Sequence, residues 1–589
     1  MRVYKFRDCL LNTAERSVIK ERQHLDLTTK TFDVLEFLIE NAGKVVTKDE
    51  ILGHVWNGNF VEESNLPVHI SKLRRFLSES RDCRFIETVQ GTGYRFVAPL
   101  QTVDDDEWQA ASSATRGFPL VQSVTDIKAS HSIAVLPLQN EGGDPEMEYL
   151  VDGLTEGLIN GLSHVPGLRV IARNTVFRVD DTNLALKKLG ELLEVSHVLT
   201  GRVRISGEEF VVSVELTRAG DETQVWGRRY CLVVADLMRV QEEVVFSVVE
   251  SLTSSKIRTS RFPANSLTQD AESYRLYLKG RYFLEKHSSN DIYKAVDLFN
   301  ESVLADPRNI FSHVEKVECY RSLHAYGYIS YEDFLQLTKP ILDAIAIGNQ
   351  SLDVVQILYC DLKMLEWKFS EAERYCRRAL AINTNCLKGR FRYSDILLQR
   401  RDFSAALEQL ERIMIIDPLS PLIYKRIGRL FYMMGEYDKA IAFLNDALEL
   451  EPGNYESLAL RGVVHTELAH FREALKDFEE SLRAQHHAET IAMTGVVYAR
   501  QGNRAKALEM LKKLQSELTI NTGHSTNLAH LFLALGDKTE AYECLERSYA
   551  QHEPDLRALT YDRRWIPVRN EARFKSLVKR VGLPKIERN

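Results

Sequence analysis

The sequence predicts a multidomain chain of three unlike parts: an N-terminal winged helix-turn-helix (α+β), a middle α/β domain and a C-terminal all-α superhelix. Three observations carry that assignment. A basic-faced amphipathic helix is followed by a glycine-turned hairpin within the first hundred residues. β-type runs then alternate with amphipathic helices between about 131 and 256. Beyond them, Ala372, Ala406, Ala440 and Ala474 recur every 34 residues. At 589 residues the chain is also too long for one core.

The first domain spans 1–100. T-T-K-T-F-D-V-L-E-F-L-I-E-N-A-G (28–43) predicts a helix capped by Thr28 or Thr29, with Phe32, Leu35, Leu38 and Ile39 as its core face and Gly43 as its stop. Thr47 and Glu50 form a capping box before a second, short helix. The turn-rich W-N-G-N-F-V-E-E-S leads into S-N-L-P-V-H-I-S-K-L-R-R-F-L, a helix over 64–78. At about 100° per residue, Leu66, Ile70, Leu73 and Leu77 fall on one side, flanked by His69 and Phe76. Val68, Ser71, Lys72 and Arg75 point the other way, with Arg74 near the boundary. Pro67 is tolerated in the first turn if Ser64 is the N-cap. R-F-I-E-T-V-Q-G-T-G-Y-R-F-V then gives two β-type runs turning at Gly91 and Gly93, a wing over 86–97. Helix, helix, basic-faced helix, hairpin is the order of a winged helix. Alone, the basic face reads more readily as a solvated surface; its neighbours favour DNA.

Residues 101–130, acidic and then small and polar, predict a flexible linker. From 131 to 256 the pattern is α/β. S-I-A-V-L-P-L is a buried strand, Y-L-V-D-G-L-T-E-G-L-I-N-G-L an amphipathic helix, and L-R-V-I-A-R a second strand. A helix over 183–194 follows, then three strands and a closing helix near 236–253.

The part from 270 to 589 is a repeat array. Ala507 and Ala541 continue the anchor series with steps of 33 and 34, and twelve residues after the first four anchors stand Thr384, Pro418, Pro452 and His486. Gly428 and Gly462 occupy a small-residue position where two helices cross. A 34-residue helix–turn–helix period with such residues is the tetratricopeptide signature. A weaker anchor lies at Ala295 with Pro307, whereas 310–360 is helical but out of phase. The ending from Tyr561 reads as a capping tail.

Composition is that of an ordinary globular protein, 44% hydrophobic and 27% charged, and a net charge of −7 gives no general affinity for nucleic acid. Residues 1–100 carry 15 basic against 14 acidic side chains, but 69–84 carry 5 against 2, so positive charge is local. Eight cysteines lack C-x-x-C pairs or ligand-like spacing, which predicts reduced thiols and no metal site. No phosphate-binding loop, catalytic triad or cofactor motif stands out, so neither an enzyme nor a cofactor is expected. With no apolar run long enough to span a membrane, a cytoplasmic bacterial protein is expected.

L-T-T-K-T-F-D-V-L, G-K-V-V-T-K-D-E-I-L, H-V-W, V-H-I-S-K-L-R-R-F-L and I-E-T-V-Q-G-T-G-Y-R-F resemble the successive motifs of the OmpR/PhoB-type DNA-binding domain. The middle domain resembles a TolB-like domain, and the whole chain resembles the HilA/CadC group of one-component regulators, HilA-like rather than membrane-tethered. The resemblance implies a recognition helix in the major groove and a wing toward the minor groove. It implies base and phosphate contacts by Ser71, Lys72 and Arg74, a phosphate contact by Arg75, and wing contacts by Thr88, Gln90 and Arg95, with Tyr94 packing. Ser71 and Gln90 stand where well-known members carry arginine, which flattens the salt dependence by about one or two units of slope. In the loop over 57–63, Asn57, Gly58, Asn59 and Phe60 match the one that contacts RNA polymerase, and it reads equally well as a simple connector. No receiver domain precedes the winged helix, so phosphotransfer is not the expected switch.

The expected function is sequence-specific binding of double-stranded promoter DNA by a transcriptional regulator, an activator of virulence or invasion genes, with RNA polymerase as partner and a homodimer on direct repeats. The α/β domain and the repeats would serve regulation or bind a further protein or ligand. The alternatives are a scaffold built on the repeats and a small-molecule sensor in which DNA binding is secondary.

Overall fold

The computed structural model describes the chain from Val3 to Lys585 apart from 14–16, 21–22, 26–28, 56–64, 78, 80–83, 90, 104–130, 142, 144–147, 180–184, 207–208, 234–235, 253–267, 269, 285–287, 346–351, 486 and 519–524. The N-terminal unit opens with four short strands, β1 (Val3–Phe6), β2 (Cys9–Asn12), β3 (Ser17–Lys20) and β4 (Gln23–Leu25). Three helices follow, α1 (Thr29–Glu40), α2 (Lys48–Val55) and α3 (Asn65–Phe76), with β5 (Val45–Thr47) between the first two. β6 (Ile86–Val89) and β7 (Gly93–Phe96) form the wing, and β5-β7-β6 make a small antiparallel sheet.

One expectation needs correction here. Residues 101–103 are not linker: β8 (Leu100–Val103) pairs antiparallel with β1 and completes a sheet ordered β4-β3-β2-β1-β8. Thr102 and Val103 can satisfy an open strand edge despite their polar surroundings, a non-local gain that local composition does not show. The rest of the expected linker, 104–130, lies outside the described residues.

Local chemistry explains the helices. Thr47 and Glu50 close the capping box, the Glu50 carboxylate accepting from the Thr47 amide at 2.8 Å and the Thr47 hydroxyl from the Glu50 amide at 3.2 Å. Phe32, Leu35, Leu38 and Ile39 on α1 and Leu66, Ile70, Leu73 and Leu77 on and just after α3 are all buried. They meet Phe6, which lies edge-on to Phe85 and Phe96. This core draws on residues 4–98 alone, so the winged helix is a packing unit of its own.

The middle domain is a mixed sheet ordered β11-β9-β12-β13-β14. β9 (His131–Val135) runs parallel to β11 (Leu168–Val170) and β12 (His197–Ser206), while β13 (Glu209–Arg218) and β14 (Thr223–Val233) add antiparallel hairpins. A two-residue β10 (Gln139–Asn140) flanks β12. The helices α4 (Glu148–Ser163), α5 (Leu186–Leu193) and α6 (Leu237–Leu252) match the expected ones.

The repeats form helix pairs. The second helices of successive pairs begin at Phe369, Phe403, Tyr437, Phe471, Arg504 and Lys538, which reproduces the 34-residue spacing with one step of 33. Ala372, Ala406, Ala440, Ala474, Ala507 and Ala541 are buried at the helix crossings. The out-of-phase stretch resolves into one more pair, Ile310–Ala325 and Tyr331–Ile345. Ala295 and Ala372 stand 77 residues apart, nine more than two 34-residue periods, and this pair with its loops absorbs the excess. The chain ends in two short 3-10 turns around buried Trp565 and a helix over Ala572–Arg580.

The middle domain shares one continuous core with the first helices of the array, as far as Leu365, and hydrogen bonds tie it to the repeats beyond. The Ala172 amide donates to the Ile416 carbonyl at 2.9 Å, Thr175 donates to Asp417 at 2.7 Å, and Asn385 donates to the Ser163 and Leu168 carbonyls. They act as one platform, to which the winged helix is attached.

A glycine fixes the wing. A Cβ on Gly93 would lie 2.0 Å from the Val46 carbonyl oxygen, a backbone atom of the neighbouring strand. Gly93→Ala is therefore expected to destabilise the N-terminal unit by about 3 kcal/mol, seen as a lower midpoint for its calorimetric transition while that of the platform stays put.

Candidate nucleic-acid interface

The apolar stripe of α3 determines where its polar face points. Leu66, Ile70 and Leu73 turn into the core, and His69 follows them, buried with its Nδ1 2.9 Å from the Thr31 hydroxyl. Ser71, Lys72 and Arg74 are left on the outer side, as the helical periodicity requires.

Helix and wing are tied into one surface by Arg74. Its Nη2 donates to the Thr88 hydroxyl at 2.5 Å and to the Ile86 carbonyl at 3.4 Å, and its Nε lies 3.9 Å from Glu79. On the wing, Arg95 faces Glu87 in register across β6 and β7, 3.4 Å away, and both stay part-exposed. Gly91 takes a positive φ of 75°, which makes the tight turn. Tyr94 is fully buried, as expected of a packing residue. Gln90, the loop Asn57, Gly58, Asn59 and Phe60, and the side chain of Arg75 lie outside the described residues.

The structure overturns one expectation: the outer face of α3 is not open. Ser71 is only 6% exposed, because the repeat helix Tyr437–Leu450 packs against it. Its hydroxyl donates to Asp446 at 2.6 Å, and Arg74 Nη1 reaches the other oxygen of the same carboxylate at 3.4 Å. The Tyr94 hydroxyl donates to Glu449 at 3.3 Å. Lys72 pairs with Glu194 of the middle domain at 2.5 Å. Burial pushes the Asp446 carboxyl above its usual range against the pull of Arg74, and burial together with Asp446 pushes Glu449 up to about 7.

Reasoning from sequence missed Asp446, Glu449 and Glu194. A signal for two of them was present. Six residues after each anchor alanine the array carries Arg378, Arg412, Asp446, Glu480, Lys513 and Arg547; three further on it carries Ala381, Ile415, Glu449, Arg483, Ser516 and Ala550. Only the repeat anchored at Ala440 has acids at both places.

Residues 22–96 match the family model "Transcriptional regulatory protein, C terminal", 129–253 match "HilA/YgeH-like transcriptional regulator, second domain", and 421–454 match "Tetratricopeptide repeat". The transcriptional regulator HilA of Salmonella typhi is 22% identical over 530 residues, 87% of this chain and 83% of that protein. The phosphate regulon regulatory protein PhoB of Shigella flexneri is 34% identical over 95 residues, 16% of this chain and 42% of that one. A putative adenylate cyclase 3 of Rhizobium meliloti is 30% identical over 188 residues, 32% of each chain.

These matches support a DNA-binding transcription regulator with an OmpR/PhoB-type domain, a HilA-like second domain and tetratricopeptide repeats. They point to a regulator rather than an enzyme. Among the described residues, no helix is long and apolar enough to cross a membrane, and no cluster of potential metal ligands occurs.

Burial lowers the pKa of His69 to about 3, with Lys72 and Lys30 adding to the shift. The folded domain thus resists a proton that the unfolded chain accepts at the ordinary value of 6.5. Its contribution is intact above 6.5 and is lost as pH falls toward 3. Thermal unfolding should show the N-terminal unit losing on the order of a few kcal/mol over that window, and His69→Gln should flatten the loss.

Proposed function

We propose that this chain binds promoter DNA in a sequence-specific manner and activates transcription, with α3 in the major groove and the β6–β7 wing toward the adjacent minor groove. The observation that carries the reading is the Arg74 bridge: it joins the basic face of α3 to Thr88 of the wing, so that helix and hairpin act as a single contact surface. In this reading Ser71 and Lys72 meet base edges and phosphates. Arg74, Arg75 and Thr88 meet the backbone, and Gln90 and Arg95 lie at the wing's groove. Such a surface fits a groove about 12 Å wide, the width of one helix with its side chains.

The remaining assignments belong to the same proposal. The 57–60 loop is the contact for RNA polymerase, two copies occupy direct repeats, and the protein works in the bacterial cytoplasm on virulence or invasion genes. The repeat array supplies a protein-binding surface.

Selection of bound sequences from a random DNA pool with the full chain tests the proposal. A defined motif is expected, and Lys72→Ala or Arg74→Ala should each weaken binding to it by about 1–3 kcal/mol and lower the salt slope by roughly one. Failure to enrich any sequence would refute it.

A further inference from the structure

We propose that the acidic face of the Tyr437–Leu450 helix is a docking surface for the chain's own recognition helix, which it holds in place of DNA. This rests on the DNA-binding reading above and adds a competitor for the same side chains. Ser71 and Arg74 both bind Asp446, Tyr94 binds Glu449, and Lys72 is held by Glu194 on the neighbouring domain. Carboxylates stand where phosphate oxygens would, and they meet the same hydroxyl and cations. A helix 10–12 Å across fills the major groove, so α3 cannot lie in DNA and against the Tyr437–Leu450 helix at once.

Three features suit this contact to reversal. The winged helix has a core of its own, drawn from residues 4–98. The docking contacts named above are polar, and a buried ion pair contributes little net free energy because desolvation offsets the attraction. Finally, the pair of acids is peculiar to this repeat: the next one carries Glu480 at the first place but Arg483 at the second.

The contact also senses protons. Glu449 faces Asp446 on its own helix, Arg74 on α3, Tyr94 on β7 and Lys48 on α2. Its carboxyl is raised from 4.5 to about 7 when docked, so the docked state holds a proton that the released state gives up. Docking is therefore strongest at the acid end, weakens as pH rises from 4.5 and changes little above about 7.

The test uses the full chain and its selected DNA. Asp446→Arg removes the anchor and sets a cation against Arg74; the array accepts arginine at this place in the two preceding repeats, Arg378 and Arg412. If docking holds most of the population, this variant should bind DNA about ten-fold more tightly than wild type, since apparent affinity is reduced by the fraction able to bind. Glu194→Lys, on the exposed side of the middle domain, should act in the same direction and guards against misfolding of the first variant. Arg74→Ala should cost more affinity in the Asp446→Arg chain than in the wild type, where loss of docking offsets part of its effect. Glu449→Gln should flatten the rise of DNA affinity between pH 5 and 7, leaving only the part due to Asp446. Equal affinity in the wild type, Asp446→Arg and Glu194→Lys would overturn the inference while leaving DNA binding intact. Absence of DNA binding in every variant would remove both.

Discussion

A helix with one apolar stripe has one polar face to offer, and α3 has committed its stripe. Leu66, Ile70, Leu73 and Leu77 are fully buried, and each such side chain contributes about 1.5–3 kcal/mol by leaving water. The pairs on its outer face are largely buried, and a buried ion pair contributes little net free energy because desolvation offsets the attraction. The orientation of α3 within its domain is therefore fixed, while the partner of its outer face is cheap to change. The capping box before α2, the wing turn and the Arg74–Thr88 bridge all serve to hold that one face in a defined shape.

The platform is built on the opposite principle. The middle domain shares apolar core with the first helices of the array and is hydrogen-bonded to later repeats at Ala172–Ile416 and Thr175–Asp417, so the two form one frame. The winged helix touches them through side-chain contacts of Ser71, Lys72, Arg74 and Tyr94. A rigid frame and a separately folded reader joined by polar contacts make a two-state element, the physical requirement for a switch. A ligand or partner of the array would act on DNA binding by favouring one of those two states.

Much of this was legible in the sequence because it is local. The periodicity of α3, the Thr47–Glu50 capping box, the glycine turn of the wing and the 34-residue alanine series each depend on residues a few places apart. β8 was not legible, because Leu100–Val103 gains its strand only by pairing with β1 at the other end of the domain. Nor was the helix pair over 310–345, whose longer spacing breaks the period. Ser71 and Arg74 were assigned from the face they occupy, but their carboxylate partner lies some 370 residues away. No pattern within α3 could announce it; only the lone acidic pair in the repeat series hinted at it.

The central claim is that one face of α3 serves either the array or DNA. The most direct measurement is the distance between spin labels on Glu87 of the wing and Lys476 of the array, read by dipolar spectroscopy with and without saturating selected DNA. A single narrow distance in the free chain that gives way to a different, broader distribution on DNA is the predicted result. The same narrow distance in the DNA-bound chain would contradict the account.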